Sequence, residues 1–135
     1  MGDADIPDLV RDFGLELVDQ GFVALSPWIS PSFGEVSFGY ERGVVRVQMG
    51  RERGGAWFIQ VARSRGRWYD PDIWRAALDG KSAPTSPSDL GQQMQIVRDR
   101  LEEIEASVGP LMTARVDEVA GDRLNRRLRL GHEGA

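Results

Sequence analysis

The stretch EVSFGYERGVVRVQMGRERGGAWFIQVA, residues 35–62, determines which fold the sequence predicts. Apolar and polar side chains alternate along three successive runs within it, at 35–41, 44–49 and 56–62. A period of two is typical of β-strands that have one buried face and one solvated face. The connections between the runs are short, and Gly43 in the first of them can adopt the positive φ of a tight turn. The stretch therefore predicts an antiparallel β-meander.

The segments before the meander predict a helix, a strand and a loop. Residues 5–14, DIPDLVRDFG, carry an apolar stripe at helical spacing, and Gly14 predicts a left-handed stop at the end of this helix. Residues 15–19, LELVD, alternate in the manner of a short strand. Residues 26–34, SPWISPSFG, contain two prolines that cannot join a ladder from its interior, so a loop is predicted there.

The stretch GRWYDPDIW, residues 66–74, concentrates aromatic rings and carboxylates but is explained by the start of a helix. Asp70 has the position of an N-cap, Pro71 that of the first helical residue and Asp72 that of an acidic residue in the first turn. Gly80 predicts the end of this helix. We therefore interpret the stretch as a structural junction between a strand and a helix, and not as a ligand site.

Two further helices are predicted after residues 81–89, a Pro- and Ser-rich segment typical of a linker. Residues 90–130 predict a helical hairpin that packs on the α+β core domain, residues 1–80. In the first helix, apolar residues recur at spacings of four and three: Leu90, Met94, Val97, Leu101, Ile104 and Val108. In the second helix they recur at spacings of four: Val116, Ala120, Leu124 and Leu128. Packing against the sheet is expected, and the alternative is a homodimer formed through these C-terminal helices.

Together these elements predict an α+β fold. It consists of an antiparallel sheet of three to five strands, helices packed on one face of the sheet and a C-terminal helical hairpin. The chain of 135 residues, 41% of them apolar and 28% charged, fits one such domain.

Composition argues against most catalytic and metal-binding chemistry. The chain has no cysteine, and its single histidine, His132, is the fourth residue from the end of the sequence. Nucleophilic catalysis usually depends on a positioned imidazole, and imidazole is also the commonest ligand of transition metals. We therefore expect a non-enzymatic protein with no catalytic residues, no metal site and no cofactor. Because no apolar run approaches about 18 residues and the polar start is unlike a signal peptide, we expect a cytoplasmic protein without a membrane partner.

Charge is distributed unevenly along the chain, whose net charge is −4. Residues 1–41 hold one Arg and eight acidic residues, whereas residues 42–75 hold eight Arg and three acidic residues. The basic block surrounds the meander together with Trp57, Phe58 and Trp68, an arrangement found in proteins that bind single-stranded nucleic acid. The pI of about 5.0 is unusual for such proteins. A nucleic-acid-binding accessory protein is therefore kept as the alternative function, and a small-molecule enzyme is the least favoured.

Strand parity predicts where a partner would bind. It turns a set of polar, basic and aromatic side chains away from the face that carries Val45, Val47, Ile59 and Val61: Arg46, Gln48, Phe58 and Gln60. Trp28, in the neighbouring loop, can complete a binding patch with them, because aromatic and Arg side chains dominate interface hot spots. The alternative is that the C-terminal hairpin covers this face and makes Phe58 part of the core.

The order of these features resembles that of small bacterial α+β proteins, some of which are encoded beside polymorphic toxins as immunity proteins. The resemblance covers residues 6–79: a short helix, a loop ending in SPSFG, a hydrophobic hairpin, a strand containing WFIQV, the motif WYD and a helix. It implies a protein that binds and blocks another protein, of the immunity or adaptor kind. It assigns no role to individual residues, and the C-terminal helices lie outside it.

Overall fold

The computed structural model describes residues 6–30, 35–52, 55–64, 66–107 and 110–133. In chain order the elements are α1 (Asp8–Asp19), β1 (Val23–Ala24), β2 (Trp28–Ser30), β3 (Glu35–Arg42), β4 (Val45–Arg51), β5 (Trp57–Arg63), α2 (Pro71–Asp79), α3 (Leu90–Ala106) and α4 (Pro110–Glu133). The predicted α+β fold with an antiparallel sheet is confirmed.

The three strands of the predicted meander, β3, β4 and β5, pair in sequence order and antiparallel. Gly43 has a φ of 57° in the turn between the first two of them. On the other side of β3, the short strands β1 and β2 both pair antiparallel with it. The predicted loop at 26–34 was therefore partly wrong, because Trp28–Ser30 joins the sheet. Pro27 does not prevent this pairing, since it precedes a short strand at the edge of the sheet.

One face of the sheet carries the core. Its central side chains have no exposed surface: Val45, Val47, Met49, Ile59 and Val61. Buried residues of all four helices belong to the same apolar cluster as these side chains. The described helices therefore lie on one face of the sheet, as the alternation of residues in the strands predicts. None of these helices is both long and apolar enough to span a membrane.

Helix α1 does not stop at Gly14, and the predicted strand at 15–19 was wrong. The helix continues to Asp19, and Leu17 in its second half is buried in the core. Gly14 faces Tyr40 on β3 so closely that an added Cβ would lie less than 3.0 Å from the Tyr40 Oη and 3.1 Å from its Cζ. The glycine is thus needed for the close approach of helix and sheet, and not for a left-handed turn.

Residues 66–74 lead from β5 into α2 as predicted, but Asp70 does not cap α2. No side-chain cap hydrogen bond is present at Asp70, although Pro71 begins the helix and Gly80 ends it with a φ of 68°. The Asp70 carboxylate instead forms an ion pair with Arg123 of α4, and the Arg123 Nη1 lies 3.2 Å from the Asp70 Oδ2. The guanidinium outcompetes the backbone amides because it offers two charged donors in the fork geometry that fits a carboxylate.

Residues 81–89 are fastened to the rest of the molecule at several points. The fully buried Asp72 accepts hydrogen bonds from the Ser88 backbone N at 2.8 Å and from the Ser88 Oγ at 2.9 Å. Ala83 is buried, and its carbonyl oxygen accepts a hydrogen bond from Arg126. At the end of the segment, the Asp89 Oδ1 caps α3 by accepting from the Gln92 backbone N at 2.9 Å. The positions of α2, α3 and α4 are therefore coupled through this segment.

The two predicted apolar stripes have different outcomes. In α3, Met94, Val97, Leu101 and Ile104 are buried, Leu90 is partly buried, and Val108 lies outside the described residues. In α4, Val116 is buried and Ala120 partly buried, but Leu124 and Leu128 are exposed. Both helices contact α2. The prediction that the α4 stripe packs against the core was therefore correct only for the first half of the stripe.

Candidate functional site

The face of the sheet opposite the core is not covered by any described helix. We call it the open face. Direct cross-strand partners place its side chains in three rows that run from the β1–β2 edge to β5. The first row is Trp28, Ser37, Gly50 and Phe58; the second is Leu25, Gly39, Gln48 and Gln60; the third is Val23, Glu41, Arg46 and Ala62. At the β5 end of the third row, Ala62 is fully buried. All five residues predicted as a binding patch lie on this face.

Two glycines make the open face flat. A Cβ at Gly50 would lie 2.9 Å from the Phe58 Cζ, so the Phe58 ring lies across the space that a side chain would fill. In the next row, a Cβ at Gly39 would lie 3.2 Å from the Leu25 Cδ1. Because Gly50 and Gly39 have no side chains, both large apolar groups extend along the sheet and do not rise from it. A flat apolar surface suits contact with another macromolecule better than enclosure of a small ligand.

The polar residues at the centre of the open face are fixed by each other. Gln48 Nε2 donates to Gln60 Oε1 at 2.7 Å, which holds both amides along the surface. The Arg46 guanidinium lies 4.9 Å from the centroid of the Trp68 ring, a cation–π geometry. Sequence reasoning had not included Trp68 in the patch, because its position over Arg46 depends on the path of the chain after β5.

The edge formed by β1 and β2 is the most exposed apolar part of the open face. Trp28 is 56% exposed, Val23 62% and Leu25 43%. Trp28 reaches this face because β2 pairs with β3 and places it opposite Ser37. The row that joins Trp28 to Phe58 spans three inter-strand spacings, roughly 14 Å. Two aromatic side chains therefore stand at opposite sides of one uncovered surface.

A groove runs beside the open face at the outer edge of β5. It has a volume of about 720 Å³, and Phe58 and Gln60 form one wall, with Gln93, Asp70 and Arg123 on the others. Gln93 is only 5% exposed; its Nε2 donates to the Ser88 carbonyl oxygen at 2.6 Å, while its Oε1 is buried with no partner among the described residues. The groove therefore brings the largely buried amide of Gln93 next to the aromatic surface.

A second cleft, of about 50 Å³, lies between β5 and the start of α4. Tyr69 on its wall donates a hydrogen bond to the Asp117 carboxylate. Burial and this hydrogen bond raise the pKa of Tyr69 above its ordinary value. This hydrogen bond connects the segment before α2 to α4 and helps to hold α4 in position. Among the described residues, no group of three or more His, Asp or Glu side chains is placed to hold a metal ion.

The arginines of the described strands are divided between the two sides of the sheet. Arg42 lies on the core side of β3, where its Nε donates to Glu105 at 3.1 Å and its Nη1 to the Gln20 carbonyl oxygen at 2.9 Å. Arg51 and Arg63 pair with core-facing positions of the neighbouring strand and therefore share that side. Arg46 is the arginine of the described strands that lies on the open face, and Glu41 is its cross-strand partner there. Arg53 and Arg65 lie outside the described residues.

No protein-family model, curated protein or solved structure matches the chain. The assignment of a function therefore depends on the geometry of the open face and on the chemistry of the side chains that it presents.

Proposed function

We propose that this protein is a non-enzymatic binding protein that attaches to another protein through the open face, in the manner of an immunity or adaptor protein. The observation that carries the proposal is the flat, uncovered surface between Trp28 and Phe58. Exposed apolar residues on a monomer are usually scattered, whereas here Val23, Leu25 and Trp28 form one column. Contiguous exposed apolar surface of this kind is typical of protein–protein interfaces.

The rigidity of the open face supports binding without large rearrangement. The central amides are bonded to each other, the Arg46 guanidinium is stacked on Trp68, and the apolar side chains lie against glycines. These contacts reduce the side-chain entropy that the central residues lose when a partner docks, which favours affinity at a given contact area. A protein that acts by blocking another protein needs only to bind it and cover its surface, and a preformed binding face is sufficient for that.

The charge of the open face favours a protein partner over nucleic acid. Its third row pairs Arg46 with Glu41, so positive charge is not concentrated there. Affinity for nucleic acid depends mainly on Lys and Arg contacts to phosphates. Binding of nucleic acid is accordingly the alternative outcome of the experiment below.

Site-specific photo-crosslinking in the native cells tests the proposal. A benzophenone amino acid is placed at Trp28 or at Phe58, and at the exposed Asp99 on α3 as the matched control. We expect one and the same protein to be crosslinked from the two open-face positions and not from Asp99. With that protein purified, hydrogen exchange should show protection at residues 44–48 and 57–61, and Trp28→Ala should weaken binding at least tenfold (about 1.4 kcal/mol) with an unchanged melting temperature.

Three results would overturn the proposal. Equal crosslinking from Asp99 would show that contact is not specific to the open face. Protection confined to the C-terminal helices would place the interface elsewhere. Crosslinks to nucleic acid alone would favour the alternative function.

A further inference from the structure

The second half of α4 packs against the protein with its arginines and turns its leucines outward. Arg123 pairs with Asp70, Arg126 donates to the Ala83 carbonyl oxygen, and Arg127 donates to the Thr85 carbonyl oxygen. Leu124 and Leu128 are 56% and 63% exposed. A surface helix normally buries its apolar stripe and exposes its charges. This half of α4 has the opposite arrangement, so its apolar stripe has no partner among the described residues.

The outward residues form a continuous stripe. Gly121, Leu124 and Leu128 follow one another at spacings of three and four, which places them on one side of the helix. A Cβ added at Gly121 would meet no atom within 4 Å, so the space above this glycine is open. The stripe therefore offers both projecting leucines and a position where another side chain can approach the backbone of α4.

The charges beside the stripe indicate what covers it. The exposed Glu118 precedes Leu124, and the exposed Arg129 follows about three helical turns after Glu118, on the same flank of the stripe. If two such helices pair antiparallel, Glu118 of each lies beside Arg129 of the other. Parallel pairing would bring like charges together, which is unfavourable. A second copy of the chain in antiparallel orientation is thus complementary to α4 in charge as well as in polarity.

We propose that two copies of this chain associate through antiparallel pairing of α4. A two-fold axis between residues 122 and 123 places Leu124 against the partner's Gly121, and Glu118 beside the partner's Arg129. The same contacts recur on both sides of the axis, as in closed homodimers. The apolar stripe of α3 does not take part, because Met94, Val97, Leu101 and Ile104 are buried within one copy. The contact uses a different element from the open face and does not depend on the proposed function.

Sedimentation equilibrium on the purified full chain tests the proposal. We expect a monomer–dimer equilibrium whose dimer fraction rises between about 1 and about 500 µM protein. Replacing both leucines, in the variant Leu124→Gln/Leu128→Gln, should weaken association at least tenfold. The matched control is Leu15→Gln on α1, because Leu15 is 62% exposed and lies outside the contact. This control should dimerise as the unaltered chain does.

Charge reversal identifies the orientation. Glu118→Arg and Arg129→Glu should each weaken association several-fold, and the double variant Glu118→Arg/Arg129→Glu should recover it, because it exchanges the two charges across the axis. The proposal is overturned if the unaltered chain remains monomeric over the whole concentration range. It is equally overturned if the leucine variant dimerises as well as the Leu15 control, or if the double charge reversal is weaker than both single ones.

Discussion

Replacing Gly14 by alanine should destabilise the protein, although the same change inside a helix usually stabilises it. Alanine is favoured over glycine in a helix interior by about 1 kcal/mol. At Gly14, however, the new methyl group would lie less than 3.0 Å from the Tyr40 Oη and 3.1 Å from its Cζ. These atoms belong to a rigid ring, so the ring or the helix must shift.

The magnitude follows from these two opposing effects. Overpacking of a tight core contact costs about 1–3 kcal/mol, and the short distances to two atoms favour the upper part of this range. After subtraction of the helix propensity, we expect Gly14→Ala to lower the free energy of unfolding by about 1–2 kcal/mol. Gly121→Ala is the matched control, because its added Cβ meets nothing within 4 Å. It should raise the free energy of unfolding by about 1 kcal/mol.

Urea denaturation at low protein concentration measures both variants. The background Tyr40→Phe provides a further test, because it removes the oxygen that lies nearest the new methyl group. Gly14→Ala should cost less in this background than in the unaltered chain. If Gly14→Ala stabilises the protein as much as Gly121→Ala does, the close approach between α1 and Tyr40 is not a constraint and the reasoning fails.

Three further predictions concern the ion pairs and the core. Asp70→Ala should lower the free energy of unfolding by about 2–4 kcal/mol, more than the roughly 1 kcal/mol of a lost helix cap, because it leaves the charge of Arg123 unpaired. A double-mutant cycle with Arg123→Met should show a coupling energy, and its absence would contradict the ion pair. Leu101→Ala should lower the free energy of unfolding by about 2–5 kcal/mol at every protein concentration, because this side chain is buried within one copy. A decrease in melting temperature that changes with protein concentration would contradict this prediction. Hydrogen bonds from Arg100 lower the pKa of both Asp79 and Glu103 below their ordinary values of 3.8 and 4.5. The two carboxylates therefore stabilise the folded protein at pH values above their ordinary pKa values. This stabilisation is lost as the pH falls through the lowered pKa values of the folded state. Arg100→Gln should accordingly flatten the acid side of the stability–pH curve in thermal denaturation, and an unchanged curve would show that the contacts are not maintained in solution.

Features that depend on neighbours along the chain were readable from the sequence. The alternation in 35–62 gave the strands and their buried face, because side chains in a strand point alternately to its two sides. The same parity placed Arg46, Gln48, Phe58 and Gln60 together on the open face. Gly43 and Gly80 were correctly expected in turns and helix ends, where positive φ is required locally.

Features that depend on distant partners required the tertiary structure. Gly14 allows a close contact with Tyr40, and Asp70 leaves its cap position for Arg123, 53 residues away. Trp28 joins the open face only because β2 pairs with β3. The helical period shows that Leu124 and Leu128 lie on one side of α4, but it does not show whether that side faces the rest of the protein. That orientation depends on the arginines that reach Asp70, Ala83 and Thr85 and on the burial of Val116 in the first half of α4.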